Sequence, residues 1–287
     1  MKEKLLSTCE LINRSLETYF DGDIPQKELT QSMRYSLLAG GKRIRPVLVL
    51  SFCQAAGGDV EKALPAACAV EMLHTYSLIH DDLPCMDNDD LRRGKPTNHK
   101  VYGETLAVLA GDAMQPEAFR LMAEAPCLPA ENRLEAVRTL ARACGADGMV
   151  GGQVLDTVYD VRDAAGLTVL NRLKTGVMIS AAAELGCIAS EMPATMRAQA
   201  LVYADAIGRG FQIRDDMLDV EGDQAVFGKP IGSDVQEGKV TFVDVIGMDA
   251  CRQEVAACTE TAKAAVAGWP DHGFLWELAD RMVGRRK

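Results

Sequence analysis

The chain has 287 residues, of which 48% are hydrophobic and only 5% aromatic, and its formal net charge is −10 at pH 7. A core of mainly aliphatic residues is typical of packed helices, and the length allows one large domain or two ordinary ones. The acidic balance and the absence of a long basic run make nucleic acid an unexpected partner.

The N-terminal residues are charged and contain no signal-peptide apolar region. No apolar run approaches the ~18 residues that a membrane span requires. The nine cysteines form no Cys-x-x-Cys pair, which makes a zinc site an unfavoured interpretation. Together these features predict a cytoplasmic protein with reduced thiols and no membrane span.

Helical periodicity runs through the chain, and Gly and Pro residues separate its segments. The spacing predicts helices over 5–20, 25–38, 47–56 and 60–82. Further helices are expected over 103–124, 130–144, 147–160, 167–174, 176–190, 194–221, 239–247, 251–268 and 273–285. No convincing strand pattern and no Gly-x-Gly-x-x-Gly motif is present. The sequence therefore predicts one all-α domain spanning residues 1–287, a bundle of about ten or more helices.

A first acidic cluster begins at the end of the predicted 60–82 helix. Five carboxylates lie between Asp81 and Asp90, directly after an apolar run, and two arginines and a lysine come next. Converging carboxylates repel one another and favour a cation between them, and Mg2+ prefers such oxygen ligands together with substrate phosphates. Neighbouring arginines suit phosphate oxygens. The cluster predicts a metal–diphosphate site, with a solvated acidic turn as the alternative.

A second acidic cluster has the pattern Asp-Asp-x-x-Asp. Asp215 and Asp219 are four residues apart, so a helix places them one turn apart on the same face. Two like charges in this arrangement also favour a bound cation. We expect the two clusters to face each other from separate helices.

A basic segment, Gly40 to Pro46, places three cations in four residues after a pair of glycines. It is not a Walker loop, because no Ser or Thr follows the Gly-Lys pair. It predicts either an exposed basic loop or a diphosphate pocket that needs no metal. His74, two helical turns before Asp81, is a candidate hydrogen-bond donor to phosphate. Lys174, Lys229 and Lys239 are candidate phosphate ligands, although isolated lysines are more often solvated.

Taken together, these motifs resemble those of the trans-isoprenyl diphosphate synthases, the polyprenyl synthetase family. The match runs from about residue 29 to the C-terminus. The matching motifs are Gly40-Gly41-Lys42-Arg43-Ile44-Arg45-Pro46, Asp81-Asp82-Leu83-Pro84-Cys85-Met86-Asp87 with Arg92-Arg93, Lys174-Thr175-Gly176, Phe211-Gln212-Ile213-Arg214-Asp215-Asp216-Met217-Leu218-Asp219 and Gly228-Lys229-Pro230. The chain is most similar to short-chain members of the bacterial farnesyl and plant geranylgeranyl type, whose first motif carries two extra residues.

The resemblance implies a helical bundle around a central cavity and a 1'-4 condensation of an allylic diphosphate with isopentenyl diphosphate. It assigns three Mg2+ ions, for which Mn2+ can substitute, to Asp81, Asp82, Asp87, Asp215, Asp216 and Asp219. Arg92, Lys174, Lys229 and Lys239 complete the allylic diphosphate site, and Lys42, Arg45, His74 and Arg93 hold isopentenyl diphosphate. Thr175 and Gln212 offer oxygen atoms to the allylic cation. The family is commonly homodimeric.

Product length is expected to depend on Ser77 and Tyr76, four and five residues before Asp81. These positions lie about 6–7.5 Å deeper along the helix. An aromatic residue at this depth tends to stop growth near fifteen carbons in the family, so the resemblance favours a farnesyl product. The alternative is that Tyr76 is an ordinary core residue and that residues of the predicted 103–124 helix decide the product length. In the family the growing product extends into a tunnel beside the first aspartate helix. Gln115 and Pro116 stand where relatives are mostly apolar, so the resemblance does not decide which residues close the end of this tunnel.

Three other functions are weighed against this one. A geranylgeranyl synthase of the same type differs only in product length. A terpene cyclase needs no second diphosphate pocket, so the basic segment argues against it. A non-catalytic synthase subunit usually lacks one acidic cluster, whereas this chain has both.

Overall fold

The computed structural model describes residues 2–22, 24–221 and 240–283. The expected all-α architecture is confirmed, because these ranges are almost entirely helical. The helices are α1 (Lys2–Glu17), α2 (Lys27–Leu37), α3 (Ile44–Ala55), α4 (Val60–Asp81), α5 (Asn98–Tyr102), α6 (Glu104–Ala123), α7 (Ala130–Cys144), α8 (Met149–Thr157), α9 (Ala164–Asn171), α10 (Val177–Ala189), α11 (Ala194–Glu221), α12 (Phe242–Ile246), α13 (Met248–Val266) and α14 (Gly273–Val283).

Helix α4 lies in the centre of the bundle and delivers the first acidic cluster. It packs against α3, α6 and α10, and most of its middle section is buried. Its start is fixed by Asp59, whose carboxylate accepts a hydrogen bond from the Glu61 amide, as an N-cap does. Helix α11 delivers the second cluster and packs against α10 and α13. Helix α10 thus contacts both helices that carry aspartate clusters.

A two-stranded hairpin follows the first acidic cluster, which the sequence did not predict. Strands β1 (Leu91–Arg92) and β2 (Lys95–Pro96) pair antiparallel. The two turn residues, Arg93 and Gly94, both have positive φ, 55° and 76°, as a tight hairpin turn requires. Strands of two residues give no periodicity, so their absence from the sequence prediction has a simple cause.

The expected separation of the predicted 167–174 and 176–190 helices is wrong. Residues Arg172–Gly176 form a π-helical turn that connects α9 to α10 without interruption. Gly176 itself is helical, with φ −62° and ψ −45°. The π turn fits closely between two other glycines. A Cβ on Gly152 of α8 would lie 2.2 Å from the Lys174 amide nitrogen, and one on Gly208 of α11 would lie 3.1 Å from the Gly176 Cα.

In the described ranges, every helix is too short or too polar to cross a lipid bilayer.

Candidate active site

The first acidic cluster is compact. Asp81 is the last residue of α4, and the loop after it folds back so that the Asp87 amide donates to the Asp81 carbonyl at 2.8 Å. Burial raises the pKa of Asp81 to about 6, and the nearby Asp87 and Asp82 carboxylates add to that rise, while Lys174 and Arg92 oppose it. The inserted residues of the motif therefore bring Asp87 to the side of Asp81.

Arg92 of the hairpin neutralises this cluster in part. Its Nε donates to Asp82 Oδ1 at 2.8 Å, and its Nη2 reaches Asp89 at 2.9 Å. Asp82 is 3% exposed, and burial raises its pKa while the Arg92 hydrogen bond lowers it. Both residues were expected in the site, and the structure places them in direct contact with each other.

Lys174 lies on the π turn, which packs against α8 and α11. Its Nζ donates to Asp156 Oδ2 of α8 at 2.5 Å, and its charge acts on Asp81. Sequence reasoning missed Asp156, and it also missed Gln153, whose amide nitrogen is buried without a hydrogen-bond partner among the described residues. The signal that could have found both is a Gln and an Asp, three residues apart, in the short apolar segment after two glycines.

The second cluster lies in the last turns of α11. Asp215 is half-buried, whereas Asp216 and Asp219 are each 5% exposed. Both oxygens of Asp216 accept hydrogen bonds, one from Gln212 Nε2 at 3.1 Å and one from the Phe242 amide at 2.8 Å. Asp216 therefore anchors the start of α12 and orients the Gln212 amide group. The Asp216 side chain thus has a structural role in addition to any role in metal binding.

The basic pocket surrounds His74. Burial lowers the pKa of His74 well below its usual range, and the charges of Arg45, Arg93, Arg43 and Arg92 lower it further. Arg93 donates to the Gly40 carbonyl and packs over Gly41, where a Cβ would lie 2.6 Å from its guanidinium carbon. The loop and the hairpin are thus joined above α4.

The remaining residues of the basic segment differ in exposure. Lys42 is exposed at the edge of the pocket, and Arg45 is partly buried, with its Nε hydrogen lacking a partner among the described residues. Arg43 is 3% exposed and forms an ion pair with Glu71, at 2.6 Å between Nη1 and Oε1. The sequence pattern placed Arg43 among the cations of a possible diphosphate pocket, but the Arg43 guanidinium group is directed into the protein.

The two residues expected to set product length lie one turn before Asp81. Tyr76 is 4% exposed, its hydroxyl has no partner in the described part of the chain, and its ring lies 5.8 Å from the His80 ring. His80 in turn packs against Gly111 of α6, where any Cβ would collide with the imidazole. The Ser77 hydroxyl donates to the His74 carbonyl at 2.9 Å.

The donor set suits a hard divalent cation. Carboxylate oxygens dominate both clusters. Burial, together with the neighbouring Asp87 and Asp82 carboxylates, raises the pKa of Asp81, and a bound cation would favour its charged form. Within the described ranges, no three acidic, Cys or His side chains converge closely enough to hold an ion by themselves. Residues of this kind fit Mg2+, which completes its shell with waters and substrate phosphates. Lys229 and Lys239 lie outside the described residues.

Comparisons with known proteins identify the family of this chain. The family model "Polyprenyl synthetase" matches residues 26–267. A farnesyl diphosphate synthase of Bacillus subtilis is 42% identical over 280 residues, which cover 96% of this chain and 94% of that protein. Geranylgeranyl pyrophosphate synthase 9 of Arabidopsis thaliana is 44% identical, covering 92% and 75%. The crystal structure of an FPP/GFPP synthase from Zymomonas mobilis matches with a TM-score of 0.87 and 36% identity, covering 99% of this chain and 100% of that one.

Proposed function

Because the chain belongs to the polyprenyl synthetase family, we propose that it is a farnesyl diphosphate synthase. It condenses dimethylallyl or geranyl diphosphate with isopentenyl diphosphate by a 1'-4 bond. The proposal rests on the site, together with the names that the relatives carry.

The observation that carries the proposal is the presence of two different anion sites along one helix. The C-terminal end of α4 presents Asp81 and Asp82, which suit a diphosphate bound through metal ions. Two turns earlier, His74 lies among arginines, which suit a diphosphate without metal. A helix of this kind holds two diphosphates about 10 Å apart, at 1.5 Å per residue between His74 and Asp81. A condensing enzyme needs this arrangement, and a cyclase does not.

We assign three Mg2+ ions, replaceable by Mn2+, to the allylic site, with ligands from Asp81, Asp82, Asp87, Asp215, Asp216 and Asp219. When bound, the metal stabilises negative charge on the departing diphosphate. Lys174 and Arg92 donate to the same diphosphate oxygens, and Asp156 holds the Lys174 ammonium group within reach. Lys229 and Lys239 are assigned to this site from the sequence alone.

The second diphosphate binds to Lys42, Arg45, Arg93 and His74. His74 is neutral at pH 7, because burial and the four arginines lower its pKa, so it donates one hydrogen bond and adds no charge. Thr175 and Gln212 present oxygen atoms to the allylic cation. Asp216 supports the assignment for Gln212, since it accepts from the amide nitrogen and leaves the amide oxygen for another partner.

Tyr76 is assigned to stop the growing chain at fifteen carbons. Its ring is buried between α4 and its neighbours and is held by the His80 ring. A geranylgeranyl product is the second candidate, favoured by the 44% identity to a plant synthase of that name. The Ser77 side chain is smaller than that of Tyr76 and blocks less of the cavity, and its hydroxyl donates a hydrogen bond to the helix backbone.

We also propose a homodimer, because the helices α5 to α8 expose a series of large apolar side chains. These are Val101, Val108, Leu109, Leu134, Val150 and Val154. The cytoplasmic location stays a prediction from the sequence.

One assay tests the function and the product length. The purified protein is incubated with Mg2+, dimethylallyl diphosphate and isopentenyl diphosphate, and the products are separated by chromatography after dephosphorylation. We expect farnesol from the wild type. We expect longer alcohols from Tyr76→Ala, because the ring that stops the growing chain is removed. Diphosphate release from the allylic substrate alone would select a cyclase. An unchanged product profile in Tyr76→Ala would exclude Tyr76 as the floor.

A further inference from the structure

The basic segment contains a cation that does not face the pocket. Arg43 is 3% exposed, and its guanidinium group makes three hydrogen bonds within the protein. Its Nε donates to Asn13 Oδ1 at 3.0 Å, its Nη1 to Glu71 Oε1 at 2.6 Å and its Nη2 to the Leu37 carbonyl at 2.8 Å. These partners come from α1, α4 and α2, so one side chain joins three helices to the loop.

The loop that carries Arg43 has an unusual backbone. Gly40 and Gly41 have φ of 89° and 122°, and Arg43 itself has φ 49°. Left-handed geometry is unfavourable for a residue with a Cβ, and it persists only where surrounding contacts impose it. The three hydrogen bonds of Arg43 are the contacts that do so here. Lys42 and Arg45 flank Arg43, so their directions depend on this backbone conformation.

Glu71 gives the arrangement an electrostatic role as well. It is 1% exposed and lies three residues before His74, on the same face of α4. Its negative charge raises the pKa values of Arg45 and Arg93, which burial lowers. A buried carboxylate thus offsets part of the positive charge that gathers around His74 before any anion binds.

We propose that Asn13, Arg43 and Glu71 form a support that positions the basic loop, and through it the side chains that bind the metal-independent diphosphate. Arg43 is a positioning residue, not a phosphate ligand. The inference rests on the proposed function for the identity of that ligand. It assigns to α1, which contributes no residue to either diphosphate site as assigned above, an influence on the affinity of one of them.

The sharpest test removes one hydrogen bond and leaves both buried charges in place. Isopentenyl diphosphate is titrated calorimetrically into the full chain in EDTA, without metal. Loss of one acceptor to a buried charged donor predicts affinity about five- to tenfold weaker in Asn13→Ala, whereas Asn13→Asp keeps an acceptor and stays within about twofold of the wild type. Arg14→Ala is the matched control, an exposed cation next to Asn13 on α1, and it retains wild-type affinity.

A second measurement separates positioning from general destabilisation. A non-ionising allylic thiodiphosphate is titrated in the presence of Mg2+, and we expect the same affinity in Asn13→Ala as in the wild type. Arg43→Lys keeps the charge but cannot reach three acceptors, and it should show the same selective loss. The proposed positioning role would be refuted if the affinities for both ligands fell equally, or if the isopentenyl diphosphate affinity of Asn13→Ala were unchanged.

The outcome stays informative if the proposed function is wrong. Failure of the wild type to condense the two substrates refutes that function, and inorganic pyrophosphate in EDTA then replaces isopentenyl diphosphate as the probe of the loop. Weaker pyrophosphate binding in Asn13→Ala would still support the inference. If the wild type binds neither anion without metal, the loop is not an anion site and the inference is refuted.

Discussion

His74 is the residue at which the electrostatics of the pocket can be measured most simply. The folded protein holds its pKa well below the ordinary value of 6.5, because of burial and the charges of Arg45, Arg93, Arg43 and Arg92. The unfolded chain therefore takes up a proton near pH 6.5 that the folded chain does not. Stability from this residue is present above that pH and is lost as the pH falls.

We predict that the free energy of unfolding of the wild type falls between pH 6.5 and about 5.5, by up to about 1.4 kcal/mol per pH unit from His74. His74→Gln should show a shallower dependence, because glutamine does not titrate. Urea denaturation at several pH values measures the difference. Parallel curves for the two proteins would mean that His74 titrates in the folded state as it does in the unfolded one.

The positions of some candidate site residues were predictable from the sequence pattern alone. The carboxylates Asp81 and Asp82 follow an apolar helix directly, and the structure does place them at its end. The buried orientation of Arg43 was not predictable in this way. Nothing in the segment tells which of its three cations turns inward, because that depends on Glu71 and Asn13, which are distant in sequence.

At the scale of elements, the π turn at Arg172–Gly176 is the feature that brings Lys174 to the site. The sequence predicted that one helix ends at Lys174-Thr175 and that the next begins at Gly176. The reason for the difference lies in other helices, because Gly152 and Gly208 let α8 and α11 approach the turn closely. π turns are frequent at functional sites, and this one carries both Lys174 and Thr175.

Gly152→Ala tests this packing. Its Cβ would lie 2.2 Å from the Lys174 amide nitrogen, so the backbone of the π turn or of α8 has to move. We predict a loss of about 1–3 kcal/mol in the free energy of unfolding, measured by urea denaturation, together with reduced turnover. Gly268→Ala is the control, since no atom lies within 4 Å of its Cβ position, and it should change stability by less than about 0.5 kcal/mol. Equal stability of the two variants would show that the contact at Gly152 relaxes without cost.

The helix boundaries were largely predictable, because Gly, Pro and Asp residues mark them. The predicted 60–82 and 130–144 helices agree with α4 and α7 to within one residue. The hairpin and the short helix α5 were missed, because two to five residues carry no measurable periodicity.

For the whole molecule, the proposed homodimer gives a testable expectation. Leu109 of α6 is 49% exposed among the apolar residues of α5 to α8, and a buried aspartate at an interface is unfavourable. We predict that Leu109→Asp sediments as a monomer, whereas the wild type sediments as a dimer. Val202→Asp on α11 is a matched control with the same 49% exposure, and it should remain dimeric. A monomeric wild type would refute the dimer.

In the proposed enzyme, both aspartate clusters bind divalent ions around one diphosphate. Anomalous diffraction from crystals grown with Mn2+ and a bisphosphonate tests it directly, because each ion is located together with its ligands. We expect metal peaks within coordination distance of both Asp81 of α4 and Asp215 of α11. Peaks confined to one cluster, or aspartates directed away from the bisphosphonate, would contradict it.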